Sequence, residues 1–275
     1  MNLVHGEPAG GSNPLERILD IVAARAGIDF RDYRRDTMQR RLEWRMAIVG
    51  IRDPGEYLRF LAGRADEIDE LFAALVVPVT GFFRDPVVFA ELRERVLPEL
   101  LAEPGPLRSW VVGTATGEEA YTLAMILECA EAEYRIVASD IDERSLRAAR
   151  SGFYVPERLE AIPAEMRDRF LQTVGGRSQI ADRLRDRIRF TQHDFMGMRL
   201  APPEAVLASF DVVLCRNVLL YFDARLRERA VTRLASAVRA GGALVLGRSE
   251  TPSSDALEAW PLTRAGTSIF RRRDL

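Results

Sequence analysis

Two stretches of the chain carry polar side chains where chemistry is expected. The run Asp211-Val-Val-Leu-Cys-Arg-Asn-Val-Leu-Leu-Tyr-Phe-Asp223 begins as an apolar strand and leads directly into Arg216, Asn217 and Tyr221. Upstream, Gly113-Thr-Ala-Thr-Gly-Glu-Glu119 places glycines and acids after another apolar run. Open α/β sheets bind ligands at the carboxyl ends of their strands. The two stretches therefore indicate an enzyme that uses a nucleotide-type cofactor.

Acidic side chains follow each of the first three predicted strands. Gly113 and Gly117 lie between a strand and a helix, in a turn that is often structural but can bring backbone N–H groups to a ligand. The adjacent Glu118-Glu119 pair would repel a pyrophosphate and suit a cationic ligand. Asp140 can accept hydrogen bonds from both hydroxyls of a ribose, and Asp194 could face an adenine ring. Each aspartate alone is more typical of a helix cap, but together they favour a nucleoside site.

The composition excludes several kinds of chemistry and of partner. The sequence has no lysine, which rules out a P-loop lysine, a Schiff base and a lysine general base. Its histidines, His5 and His193, and its cysteines, Cys129 and Cys215, show no metal-ligand spacing and no disulfide framework, so we expect no metal. A net charge of -2 argues against nucleic acid as a partner.

The sequence also bears on where the protein works. No stretch approaches the roughly 18 to 20 consecutive apolar residues of a membrane span, and the start lacks the pattern of a signal peptide. We therefore expect a cytoplasmic protein without direct membrane insertion. We also expect it to be a monomer. Residues 1–14, rich in glycine and proline, are expected to be disordered.

Hydrophobic periodicity predicts the elements that must position these residues. Apolar residues at helical spacing indicate an all-helical domain over residues 15–81, with Asp53-Pro54-Gly55 as a turn between helices. In residues 82–275, strands alternate with helices, which predicts an α/β fold with a doubly wound, mostly parallel sheet. The predicted strands are 109–112, 135–138, 188–191, 211–214 and 243–246, and the predicted helices include 118–131, 143–150 and 224–238. The alternation lapses over residues 152–187, where we expect an inserted subdomain.

A set of motifs taken together is more specific than any one of them. After an arginine-rich helical start, the motifs are Val79-Thr-Gly-Phe-Phe-Arg-Asp85, Thr116-Gly-Glu-Glu119, Ala138-Ser-Asp-Ile-Asp142, Ser151-Gly-Phe-Tyr154, Cys215-Arg-Asn-Val-Leu-Leu-Tyr-Phe-Asp223 and Gly247-Arg-Ser-Glu250. In this order and spacing they resemble the chemotaxis receptor methyltransferases, S-adenosylmethionine-dependent enzymes that esterify glutamate side chains of chemoreceptors. The resemblance covers nearly the whole chain.

The resemblance implies a cofactor, a partner and a set of site residues. The fold would be a Rossmann-like methyltransferase with a small helical N-terminal domain and an inserted β-subdomain. The cofactor would be S-adenosylmethionine, its product S-adenosylhomocysteine, and the partner the cytoplasmic helical domain of a chemoreceptor. With the glycine turn included, the cofactor pocket falls on Thr80, Arg84, Gly113, Thr116, Gly117, Glu119, Asp140, Asp194, Phe195, Asn217 and Val218. Arg84 and Tyr221 would face the methyl-transfer centre.

Both residues have structural alternatives. Arg84 could form an ion pair with Asp85 or another carboxylate, and Tyr221 could be a core ring with its hydroxyl at the surface. In the catalytic role, Arg84 would hold the substrate carboxylate and Tyr221 would orient one oxygen. A glutamate is ionised at neutral pH and needs no strong general base, which agrees with the scarcity of histidine.

The chain departs from the family pattern at three places. Pro78 stands where many members have asparagine, Ala120 replaces a common proline, and the segment 173–181 is shorter than in members that grip a receptor's C-terminal peptide. These departures leave two alternative functions open. The chain could be a non-catalytic domain that binds the S-adenosyl ligand, or a methyltransferase with another acceptor.

A row of arginines on one helix is a second candidate binding feature. Arg34, Arg41 and Arg45 recur at helical spacing and so share a face. Such a row is usually a solvated surface, yet it could also dock on the glutamate-bearing helices of a receptor and raise the encounter rate.

Overall fold

The computed structural model describes residues 13–76, 79–202 and 209–273. The chain divides into two compact units, residues 1–77 and 78–275, whereas the sequence places the boundary near residue 81. Pro78 and the start of the chain up to residue 12 lie outside the described residues. Pro14, which the sequence assigns to a disordered start, is instead the first residue of a helix whose N-terminus is capped by the Asn13 side chain.

The first unit is helical throughout its regular elements. Its helices are α1 (Pro14–Ala26), α2 (Arg35–Ile48), α3 (Pro54–Leu61) and α4 (Ala65–Val76). The apolar faces read from the sequence are buried, for example at Ile18, Val22 and Leu71. The predicted turn at Pro54 is wrong in detail: Asp53 caps α3 by accepting from the Glu56 amide, and Pro54 starts the helix, a position that suits its fixed φ.

A buried polar network in this unit uses one of the predicted docking residues. Arg45 donates from Nε and Nη2 to the two carboxylate oxygens of Glu67, at 2.9 and 2.6 Å. The Tyr57 hydroxyl donates to the same carboxylate at 2.6 Å. Burial opposes ionisation of Glu67, but the hydrogen bonds from Arg45 and Tyr57 outweigh it and lower its pKa. Arg45 therefore stabilises the packing of the helical unit.

The second unit is built on a mixed sheet. In chain order its helices are α5 (Pro86–Glu91), α6 (Leu97–Leu101), α7 (Glu118–Cys129), α8 (Glu143–Ser151), α9 (Pro156–Leu159), α10 (Ala164–Phe170), α11 (Asp182–Arg185), α12 (Ala224–Ala237) and α13 (Ser254–Ala259). The strands are β1 (Leu107–Val112), β2 (Tyr134–Asp140), β3 (Leu171–Val174), β4 (Arg177–Ile180), β5 (Ile188–Gln192), β6 (Phe210–Cys215), β7 (Val238–Leu246), β8 (Leu262–Arg264) and β9 (Ile269–Arg272). A π-helical turn, Leu92–Val96, joins α5 to α6.

The predicted α/β fold with a doubly wound, mostly parallel sheet is confirmed. Within the described part of the chain the main sheet has seven strands in the order β5-β2-β1-β6-β7-β9-β8, and β5, β2, β1, β6 and β7 are parallel. These five are the strands predicted from the sequence. β9 and β8 add an antiparallel edge that the sequence did not predict, because Ile269–Arg272 alternates too briefly to be recognised.

Candidate active site

The carboxyl ends of the parallel strands bring most of the predicted site residues to one edge of the sheet. The strand order reverses between β1 and β6, which is where open α/β sheets form a ligand crevice. Gly113 follows β1, Asp140 ends β2, Asp194 follows β5 and Asn217 follows β6. Residues 79–85, which precede α5, are tied to this edge by a buried cation.

That cation is Arg216, whose side chain is fully buried. Its Nη1 donates to the Glu119 carboxylate at 2.7 Å, and its Nη2 donates to the Arg84 carbonyl at 2.8 Å and to the Asp85 carboxylate at 2.9 Å. The guanidinium also lies 4.9 Å from the centre of the Phe89 ring. One side chain therefore joins the end of β6 to the start of α7 and to the segment before α5.

In the structure, the side chains of Arg84 and Asp85 have other partners than each other. The carboxylate of Asp85 pairs with Arg216, while Nη1 of Arg84 donates to the Val79 carbonyl at 2.8 Å. Phe83 and Asp85, on either side of Arg84, both have positive φ, at 50° and 56°. Non-glycine residues in this region cost about 1 to 3 kcal/mol each and persist only where neighbouring contacts enforce them. Arg216 supplies those contacts to the segment that carries Arg84.

Close packing explains why glycine occupies positions 113 and 117 in the turn after β1. A Cβ on Gly113 would lie 2.4 Å from a methyl group of Val218, and one on Gly117 would lie 2.8 Å from Ala149. The Thr114 amide donates to Ser139 and the Gly117 amide donates to Thr114, so these two N–H groups are used within the protein. Gly113 thus brings the turn against the loop after β6, and Gly117 brings it against α8.

Carboxylates on this edge are partly buried and accept hydrogen bonds from backbone amides of the turns. Asp140 accepts from the Ala115 amide at 2.7 Å and from the Asp142 amide at 2.9 Å. The helix-cap role suggested for Asp140 belongs to Asp142, which accepts from two amides at the start of α8. Asp194 accepts from the Met196 amide at 2.8 Å. Burial raises the pKa of Asp140, and burial likewise raises the pKa of Glu119 despite its contact with Arg216.

The loop after β6 carries the remaining predicted residues. Asn217 has φ of 60°, Val218 packs on Gly113, and Tyr221 ends a 3-10 turn, Leu219–Tyr221. Tyr221 is half-buried. Phe195, after β5, stacks on Phe222 with ring centres 6.1 Å apart, so the loops after β5 and β6 are in contact.

Thr116 connects the glycine turn to the beginning of the inserted segment. The Tyr154 hydroxyl donates to the Thr116 carbonyl at 2.5 Å, and Arg158 in α9 donates to the Thr116 hydroxyl at 3.1 Å. Arg158 also forms an ion pair with the buried Glu118. Thr80 lies in the segment before α5 and is half-buried.

Comparison with known proteins decides the family. The model described as "CheR methyltransferase, SAM binding domain" matches residues 78–264, and "CheR methyltransferase, all-alpha domain" matches residues 13–76. The chain belongs to the CheR methyltransferase family. It is thus an S-adenosylmethionine-dependent methyltransferase of chemotaxis, and the comparisons give no support to a non-catalytic scaffold.

Similar proteins cover this CheR-family chain to different extents. A chemotaxis protein methyltransferase of Escherichia coli is 31% identical over 241 residues, which make up 85% of this chain and 82% of that protein. One from Listeria monocytogenes is 31% identical over 233 residues, 84% of this chain and 87% of that protein. An uncharacterized 104.1 kDa protein of Rhodobacter capsulatus is 38% identical over 253 residues, 89% of this chain but only 26% of that protein. The chain therefore spans about a quarter of the Rhodobacter relative.

The side chains at the site fit the cofactor of the CheR family. Asp140 and Glu119 are partly buried acceptors suited to hydroxyl donors and to a positively charged ligand. The Thr114 hydroxyl is buried and has no hydrogen-bond partner among the described residues, as expected for a group that faces a ligand. S-adenosylmethionine carries ribose hydroxyls and a sulfonium, which match these groups.

Among the described residues, no helix has the length and apolar character needed to span a bilayer. In the same part of the chain, no group of three or more histidine, cysteine or acidic side chains is placed to hold a metal ion.

Two residues that organise the candidate site were not predicted from the sequence. Arg216 was recognised as polar but not assigned a role, although an arginine that directly follows a buried strand needs carboxylate partners. Glu250 was quoted only as part of a motif, yet it is 3% exposed and accepts from three backbone amides. In the sequence, the indication that Glu250 caps this turn was its spacing of three residues from Gly247.

Replacing Asp140 by alanine should weaken cofactor binding. We expect a loss of about 1 to 3 kcal/mol, the range for hydrogen bonds to a charged group, measured by calorimetry with S-adenosylhomocysteine. Affinity should also fall on acidification through the raised pKa of Asp140, because the protonated group is a poorer acceptor. Asp168→Ala, at an exposed position on α10, is the matched control. Unchanged affinity in Asp140→Ala would remove Asp140 from the ribose site.

Proposed function

We propose that this chain transfers a methyl group from S-adenosylmethionine to glutamate side chains of chemoreceptors, forming methyl esters. The observation that supports this most directly is the contact set of Arg216, which keeps the backbone of Arg84 beside Glu119. The positive charge of Arg84 also acts on the carboxyl group of Glu119, favouring its ionised form. A cationic side chain next to an acidic cofactor pocket can hold an anionic acceptor.

The proposed reaction requires little acid–base catalysis from the protein. When bound, S-adenosylmethionine supplies a methyl group whose bond to the positively charged sulfur would break as an ionised carboxylate oxygen bonds to the methyl carbon, leaving S-adenosylhomocysteine, so that no general base is needed. The residues of the chain must orient that carboxylate and exclude water. We assign Arg84 to hold the carboxylate through its guanidinium group and Tyr221 to orient one oxygen.

The test is direct. The protein is incubated with methyl-labelled S-adenosylmethionine and candidate chemoreceptors from the same organism, and base-labile label on the receptor is counted. Receptors in which the candidate glutamates are replaced by alanine serve as controls. Label that resists base, or that persists in the alanine receptors, would indicate another acceptor.

We also propose that exposed arginines in and just before the first turns of α2 dock the receptor, because the predicted row of Arg34, Arg41 and Arg45 does not form one exposed face. Of the three predicted residues, Arg34 is exposed, with its guanidinium 3.0 Å from Asp36. Arg41 donates to the Leu75 carbonyl near the end of α4, and Arg45 is held by Glu67. Arg40, one turn before Trp44, is exposed on the same helix. Arg34 and Arg40 are therefore the side chains that can be changed with the least effect on folding.

Charge reversal at these two positions should raise the apparent KM for receptor and leave cofactor affinity unchanged. The wild-type rate should fall with added salt, because screening limits the reach of surface charge to about 8 Å at physiological ionic strength. Arg17→Glu on α1, an exposed position in the same unit, is the matched control for each change in net charge. A rate indifferent to both reversals and salt would place docking elsewhere.

A further inference from the structure

The backbone after β6 needs hydrogen-bond partners that the sheet does not supply. Asn217 turns the chain with a positive φ, and the 3-10 turn Leu219–Tyr221 follows directly. Within the turn, Tyr221 donates to Val218 and Phe222 donates to Leu219. The amides at the start of such a turn have no partner inside it.

Glu250 supplies those partners. Its Oε2 accepts from the Asn217 amide at 2.8 Å, and its Oε1 accepts from the Leu220 amide at 3.1 Å. Oε2 also accepts from the Gly247 amide, which follows β7, at 2.8 Å. One buried carboxylate therefore joins the carboxyl end of β7 to both ends of the segment that leads into Tyr221.

The close approach of the Glu250 carboxylate to the Asn217 amide depends on Gly247. A Cβ at this position would lie 2.5 Å from Oε2 of Glu250 and 3.0 Å from the Asn217 amide nitrogen. Gly247 does not have positive φ, so its backbone conformation is open to alanine. The glycine is needed for space, and alanine there would displace the carboxylate.

We propose that Glu250 is a positioning residue that sets the place of the Tyr221 hydroxyl, an inference that rests on the catalytic role proposed for Tyr221. Tyr221 is half-buried, so its location depends on its backbone more than on core packing. Glutamine at 250 would put an NH2 group against at least one amide donor and release part of the turn. Displacements of about 1 Å can cost a reaction a hundredfold.

A double-mutant cycle on methyl transfer tests this. Glu250→Gln should lower kcat, measured at saturating S-adenosylmethionine, by roughly tenfold to a hundredfold. Tyr221→Phe should also lower kcat, and the double variant should be no slower than Tyr221→Phe, since both changes remove one hydroxyl from its place. Glu258→Gln, an exposed change on α13, should leave kcat unchanged.

The outcomes separate this inference from the proposed function. If both single variants are slow and their effects multiply in the double variant, Glu250 acts by another route and the inference is wrong. If Tyr221→Phe has wild-type kcat, the proposed role of Tyr221 fails first and the inference fails with it. If Glu250→Gln does not fold, Gly247→Ala replaces it in the same cycle, and unfolding of both variants would mean that Glu250 serves only the fold.

Discussion

Arg84→Ala should reduce methyl transfer by about 100-fold or more, the range measured when an active-site donor to a developing or bound anion is removed. The side chain is half-buried and donates to one carbonyl, that of Val79, so its loss should leave the fold intact. The measurement is single-turnover transfer from labelled S-adenosylmethionine to receptor, with thermal unfolding recorded in parallel.

Two comparisons make the Arg84 result specific. Arg93→Ala removes an exposed arginine in the π-helical turn of the same unit and should have wild-type activity. Arg84→Lys keeps the charge but loses the planar pair of donors, so it should recover only part of the rate. Normal turnover in Arg84→Ala, or a large drop in its unfolding temperature, would return Arg84 to a structural role.

Of the substitutions proposed for this chain, Arg216→Met should lower the free energy of unfolding the most. It leaves Asp85 and Glu119 without their shared cation, and breaking a buried pair by removing one partner costs about 3 to 5 kcal/mol. Activity should be lost as well, because the strained segment around Arg84 loses the contacts to its backbone. Urea unfolding measures the change, and Arg225→Met, exposed on α12, is the matched control.

The Arg216→Met deficit should depend on pH. Burial already raises the pKa of Glu119, and the influences of Arg216 and Arg84 lower it while that of Glu250 raises it. Without Arg216 the folded-state pKa rises further above the unfolded value, so the folded state binds the proton more tightly. The free energy of unfolding of the variant should then fall as pH rises and recover on acidification. A deficit independent of pH would show that Glu119 is not the uncompensated charge.

The fold was largely readable from the sequence because its main elements have strong periodicity. Each of the five parallel strands contains a short apolar run, which is nearly continuous in the central strand β6, and the predicted helices begin at the observed residues 118, 143 and 224. The antiparallel β8–β9 edge was missed because its strands are short. At Pro54 the turn-forming residues were read correctly as a boundary but not as the first turn of a helix.

For the site, the sequence by itself determined which polar residues end consecutive strands, since parallel strands must present their carboxyl ends at one edge. Gly113, Asp140, Asp194 and Asn217 follow from that rule alone. Only the tertiary structure decided which charges pair across long separations in the chain. Arg216 meets Asp85 and Glu119, Glu250 meets the amides of the loop after β6, and Arg45 meets Glu67. Such pairings depend on how helices and strands pack against one another, and hydrophobic periodicity does not encode that packing. The structure therefore shows which arginines form ion pairs or hydrogen bonds inside the protein.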